Sequence, residues 1–256
     1  MVVMVDKLSA YRKRIVRTYQ REFALHAKVA STLEAALLSS RPYPTHSHLV
    51  LDMLMVQCLK AHATVLLLTQ HGLMEDSSTI ARRLLELSVQ AVYIGMEDDD
   101  KERNRRSGAY LAFMWRQLPQ QIKRKLPLNV RQQWVGIARG NGRFVKPKAI
   151  RWGPDFRTMF KAIGVDDLYV SDYSFLSSIA HGSPDQQVFQ YSASTIRVHS
   201  DQFAPILLVY SSRYYLAAAE AWNHLFGILD TAQFATLMRL VSEWQYKGGA
   251  VVKEGR

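Results

Sequence analysis

Residues 75–96, EDSSTIARRLLELSVQAVYIGM, decide the fold class. They read as a helix over about 76–97. Asp76 and Ser77 are N-cap candidates, and the body beyond them is apolar on almost every side. Such a helix belongs deep in a bundle, enclosed by other helices. Arg82, Glu86, Gln90 and Tyr93 break the pattern and lie close to one face, with Arg83 beside Glu86.

The flanking sequence supplies the enclosing helices. Apolar residues recur every three or four positions from Leu8 to Leu37, which predicts one long helix over 5–38. Two prolines in SSRPYPTHSH break it, and a second helix covers about 48–70. His71-Gly72 ends that helix, with Gly72 suited to a left-handed cap. A further helix at 100–124 begins in acid and ends in Lys-Arg-Lys, as the helix dipole favours. Shorter helices follow at about 129–139, within GPDFRTMFKAIG, and at 166–181; two more cover 202–228 and 230–246.

The expected fold is therefore all-α, a bundle of seven to nine helices forming one domain over 1–256. VFQYSASTIRV, at 188–198, is compatible with a small β-hairpin. A loose tail is expected from about 247.

The composition fits this class. The chain has 256 residues, 48% of them hydrophobic, with 13 Gly and 8 Pro, enough for a sizeable core and unlike a disordered chain. The most apolar stretch, Leu49 to Leu68, is interrupted by Asp52, Gln57, Lys60 and His62, so no membrane span is expected. The first residues show no secretory pattern, and the one cysteine, Cys58, cannot form an internal disulfide. A cytoplasmic setting follows as the expectation. His46 and His48 lack further ligands at metal spacing, so no metal and no cofactor are expected.

The charge is concentrated. Of 33 basic and 22 acidic residues, thirteen basic ones lie between Arg103 and Pro154, where there is no Asp or Glu. The remaining 20 and 22 nearly cancel, so the net charge of +11 comes from this insert-like region. Tyr110, Phe113, Trp115, Trp134, Phe144 and Trp152 are interleaved with the charges. Basic groups among aromatics suit a phosphate backbone with stacked bases. Arg139, Arg143, Lys146, Lys148 and Arg151 are the candidate RNA- or DNA-binding residues. The bland reading is a solvated face that meets an acidic protein, and a homodimer is compatible with either.

A second polar stripe lies in YSFLSSIAHG, residues 173–182. Tyr173, Ser177 and His181 are spaced four apart, on one helical line. Together with ARRLLELSVQAVYI, this stretch resembles an uncharacterised helical family, the domain of unknown function numbered 5677, over roughly residues 50–195. The resemblance implies an all-helical fold and a shared polar site at Arg82 or Arg83, Glu86, Tyr173, Ser177 and His181. It implies no settled activity.

The residues themselves suggest a chemistry. Glu86 would orient His181 as a general acid or base near neutral pH, and an arginine would hold a phosphate. Tyr173 or Ser177 would position a substrate. The expected function is nucleic-acid or other polyanion binding, with metal-independent phosphodiester cleavage as its enzymatic form. The alternative is a non-enzymatic interaction module whose stripes only satisfy themselves and set helix register. Arg41 and His46, with four residues between them, formally match the spacing of HEPN ribonucleases, but Pro42 and Pro44 interrupt any helix between them, leaving an analogy only.

Overall fold

The computed structural model describes residues 2–39, 42–142, 151–180, 191–192, 195–196, 201 and 203–251. Among them the chain forms α1 (Val2–Thr18), α2 (Gln20–Leu37), α3 (His46–Gln70), α4 (Met74–Gly95), α5 (Asp100–Gln117), α6 (Gln120–Lys125), α7 (Leu128–Asn141) and α8 (Phe156–Ala162). Asp166–Leu168, the π-helical turn Tyr169–Tyr173 and Ser174–Ala180 run on as α9. α10 (Ala204–Phe226) and α11 (Thr231–Val251) complete the order.

The protein is all-α, with eleven helices among the described residues rather than seven to nine. Two breaks account for the difference. The 5–38 helix kinks at Tyr19 (φ −112°, ψ 34°), where Tyr19 N still donates to Ile15 O and Phe23 N to Tyr19 O, both at 3.0 Å. The kink lets Ile15 and Phe23, two turns apart and ~12 Å apart on a straight helix, both bury against Leu208. The 100–124 helix stops at Leu118, because Pro119 forces its predecessor into extended backbone and offers no N–H.

Among the described residues no hairpin of the expected 188–198 span is seen, and most of that span lies outside them. Pairing among the described residues is limited to Tyr191 with Ile196 and Ser192 with Thr195. α11 continues to Val251, past the expected start of the tail.

α4 is enclosed as its composition requires, by α3, α10, α8 and α9. Leu84, Leu87 and Ile94 of α4 join Leu51, Met55 and Cys58 of α3 and Leu207, Tyr215 and Trp222 of α10 in one buried cluster. Gly72 closes α3 in the left-handed region (φ 72°). Thr69 Oγ1 and Ser77 Oγ then bond at 2.8 Å across the turn, so Ser77 is a buried tie rather than an N-cap.

The polar interruptions of α3 have partners from distant sequence. Asp52 accepts from Trp222 Nε1 at 3.0 Å and from Tyr43 OH at 2.7 Å. His62 stacks on His26 of α2, ring centroids 3.4 Å apart and planes 5° from parallel. By length and hydropathy alone α3 is long and apolar enough to cross a membrane, a criterion that core helices also meet. In this fold its buried side packs on α2, α4, α5 and α10.

α4 and α10 touch at Gly95. A Cβ placed there would lie 2.7 Å from the Ala221 carbonyl oxygen. Gly95→Ala is therefore expected to destabilise the protein by about 1–3 kcal/mol, because backbone must move to admit the methyl. Gly136→Ala on α7 meets open space and should be neutral or stabilising by up to about 1 kcal/mol, from helix propensity. Urea denaturation compares the two, and equal effects would refute the close approach.

The stacked histidines make stability depend on pH. Burial holds His26 down at about 3 and His62 well below the ordinary range, with His26 adding to the effect on His62. In the unfolded chain both titrate near 6.5. Stability is then full above about pH 6.5 and falls as pH drops toward 4, because only the unfolded chain takes up these protons. The loss is up to about 1.4 kcal/mol per pH unit for each ring. Urea midpoints at about pH 7 and 5 should differ less in His26→Leu and His62→Leu than in the parent. The same pH dependence in all three proteins would exclude the pair as its source.

Candidate functional site

α4 has one polar face because its other sides are closed by neighbouring helices. On that face Glu86 lies between two arginines. Arg82 Nε is 3.4 Å from Glu86 Oε1, and Arg83 Nη1 is 3.5 Å from Oε2. Both contacts are at the long limit of a hydrogen bond. The Glu86 side chain is 13% exposed, that of Arg83 51%.

Arg82 turns toward α9. Its guanidinium carbon sits 5.2 Å from the centre of the Tyr173 ring, a cation–π contact. Burial raises the Tyr173 phenol above the ordinary tyrosine value; Arg82 opposes the shift and Glu86 adds to it. The π-helical turn that ends at Tyr173 stacks Tyr169 on Tyr173, centroids 5.1 Å apart. One turn on, Ser177 Oγ is buried and has no hydrogen-bond partner among the described residues. Arg82, Glu86 and Tyr173 are thus brought together. His181 lies outside the described residues.

Arg83 is on the other side of Glu86, at a cleft of ≈ 420 Å³ between α3, α4, α5 and α8. Gln57, Arg83, Glu86 and Gln90 provide its polar lining. Tyr110, Phe113, Met114, Trp152, Pro154, Phe156 and Met159 provide the apolar part, and Arg151 lies at its edge. Trp152 is fixed there: its Nε1 donates to Gln90 Oε1 at 2.9 Å, and Gln90 Nε2 donates to the Glu86 carbonyl at 3.0 Å. Tyr110 meets the indole edge to face, centroids 5.4 Å apart. Burial raises the Tyr110 phenol, with the Gln57 amide and the Arg83 charge acting against it.

The basic interval divides in two. Arg103, Arg105 and Arg106 turn back onto acids just upstream. Arg103 pairs with Asp100 at 2.6 Å, Arg105 with Glu102 at 2.5 Å, and Arg106 with Glu97 and Glu102. Hydrogen bonds from Arg105, then Arg106, hold the Glu102 carboxyl down at about 2. Lys123, Arg124, Lys125, Arg131 and Arg139, on α6 and α7, make no ion pair among the described residues. Neither helix buries a residue. Trp115 and Trp134 stack beneath them, centroids 6.1 Å apart, with Lys123 Nζ 5.1 Å above Trp115.

Of the nucleic-acid candidates, Arg139 is exposed on α7 and Arg151 borders the cleft, whereas Arg143, Lys146 and Lys148 lie outside the described residues, as does Phe144. No cluster of three metal-binding side chains occurs among the described residues. Gln57, Phe113 and Phe156 were not singled out as site residues. Gln57 carried one signal, a polar interruption of an apolar helix; the two phenylalanines carried none that separates wall from core.

No curated protein and no solved structure matches the chain, and nothing supports the HEPN analogy. A family model described as Family of unknown function (DUF5677) matches residues 48–189, a span holding α3 to α9 and with them Arg82, Glu86, Tyr173 and the cleft. That span is more than half of the 256 residues, and the chain belongs to this family.

Proposed function

We propose that the protein binds single-stranded RNA or DNA along α6 and α7. The observation that carries this reading is the set of basic side chains on these two helices that pair with no acid among the described residues. Unpaired cations on solvated helices gain most from a polyphosphate, since binding releases its condensed counterions. The Trp115–Trp134 pair beside them supports a strand with unstacked bases over a duplex.

The proposal extends to phosphodiester cleavage at Arg82, Glu86 and Tyr173, with His181 as the proton carrier. Two guanidiniums on either side of one carboxylate support it, because they can stabilise charge developing on a phosphate while the carboxylate orients an acid or base.

Fluorescence anisotropy with a labelled strand tests the binding. Affinity should fall steeply between roughly 50 and 200 mM salt. Arg124→Glu, Lys125→Glu and Arg139→Glu together should weaken it at least tenfold and lower the salt slope by about 2, since each single-strand phosphate contact contributes about 0.7. All three positions are exposed, so the melting temperature should hold. A triple variant that binds like the parent would overturn the proposal. For cleavage, Glu86→Gln should abolish strand scission, and a variant that cuts at the parental rate would remove Glu86 from the chemistry.

A further inference from the structure

We infer that the cleft between α4, α5 and α8 is a pocket for one nucleotide, taking a base with an exocyclic amine against Trp152 and its phosphate at Arg83 and Arg151. The inference rests on the nucleic-acid reading for its ligand class, and it moves the centre of recognition from the Tyr173–Ser177 stripe to the opposite side of Glu86.

Size and shape come first. A volume of ≈ 420 Å³ falls within the range of small-ligand sites. Trp152 is only 8% exposed; its N–H is engaged by Gln90, and Tyr110 and Tyr93 lie against its ring, centroids 5.4 and 6.1 Å away. A held indole whose donor is already used has no hydrogen bond left to give, only ring atoms. Tyr110, Phe113 and Phe156 add further aromatic side chains to the same cavity. Flat heteroaromatic rings are the ligands that such surfaces stack.

The polar groups then narrow the chemistry. A carboxylate accepts about four hydrogen bonds, and Glu86 has two long ones, at 3.4 and 3.5 Å. It lines the cleft and so has acceptor capacity for a ligand N–H. Glutamate accepts from the amino group of cytosine, and adenine and guanine carry amines of the same kind. Uracil and thymine do not. A purely apolar ligand would leave the carboxylate desolvated without compensation. At the mouth, Arg83 and Arg151 are exposed guanidiniums, which suit a phosphate held by paired N–H donors.

The same chemistry is offered by a free mononucleotide and by the unpaired end of a strand. Calorimetric titration of the full chain with AMP, CMP, GMP, UMP, adenosine and inorganic phosphate tests the first. Competition between AMP and a 5′-phosphorylated single strand tests the second. The amine-bearing mononucleotides should saturate, and UMP should bind about tenfold more weakly. Glu86→Gln should remove that discrimination. Arg151→Ala, at an exposed position, should lower AMP affinity toward that of adenosine.

Strand competition with AMP identifies a strand end as occupant; AMP binding without competition identifies a free nucleotide. The pocket is overturned if no mononucleotide saturates and Glu86→Gln leaves strand binding unchanged, or if UMP binds as well as AMP. Strand binding without mononucleotide binding would leave the nucleic-acid reading standing alone. Mononucleotide binding without strand binding would do the reverse.

Discussion

The contact between α4 and α10 at Gly95 sets the geometry of the rest. With no side chain at that point, the two backbones approach until an added methyl would meet the Ala221 carbonyl oxygen at 2.7 Å. α3 then packs across both and is tied to α10 through Asp52 and Trp222. α4 is left with neighbours on nearly every side and one polar face, carrying Arg82, Arg83, Glu86 and Gln90. A site on a helix held this closely is positioned by the core itself, which is what recognition at fixed distances requires.

Glu86 sits between two environments on that face. On one side Arg82 covers the Tyr173 ring, and the π-helical turn of α9 presents a pair of stacked tyrosines. On the other side lies the cleft, with Trp152 pinned by Gln90. π-helical turns carry a local cost and are frequent at functional sites. Here the turn also buries Asp172, which accepts from Tyr214 OH at 2.9 Å and so fastens α9 to α10.

The charge follows a different rule from the core. Arg103, Arg105 and Arg106 are consumed by acids on their own or the preceding turn, so they contribute little to an external field. The cations on α6 and α7 lack such partners among the described residues, and neither helix has a fully buried residue, although Trp134 and Ile137 of α7 pack against the core. The molecule therefore combines a tightly packed centre, which fixes Glu86, with an exposed basic surface whose interactions are governed by salt.

Much of the fold was legible in the sequence. Helical periodicity defined the class, Gly72 marked a real helix end, and the few polar residues in 75–96 marked the face of α4 left open among the described residues. Pro119 carried its break signal openly, in a stretch whose charge gradient argued for continuity. Tertiary structure alone decided the kink at Tyr19, which needs Leu208 as its target, and the π-helical turn of α9. It also decided what each polar interruption of α3 does: Asp52 joins Trp222, His62 stacks on His26, and Gln57 lines the cleft. The reason is physical. Periodicity records which face of a helix is buried, whereas the partner that satisfies a buried polar group comes from another helix, as far as 170 residues away for Asp52 and Trp222.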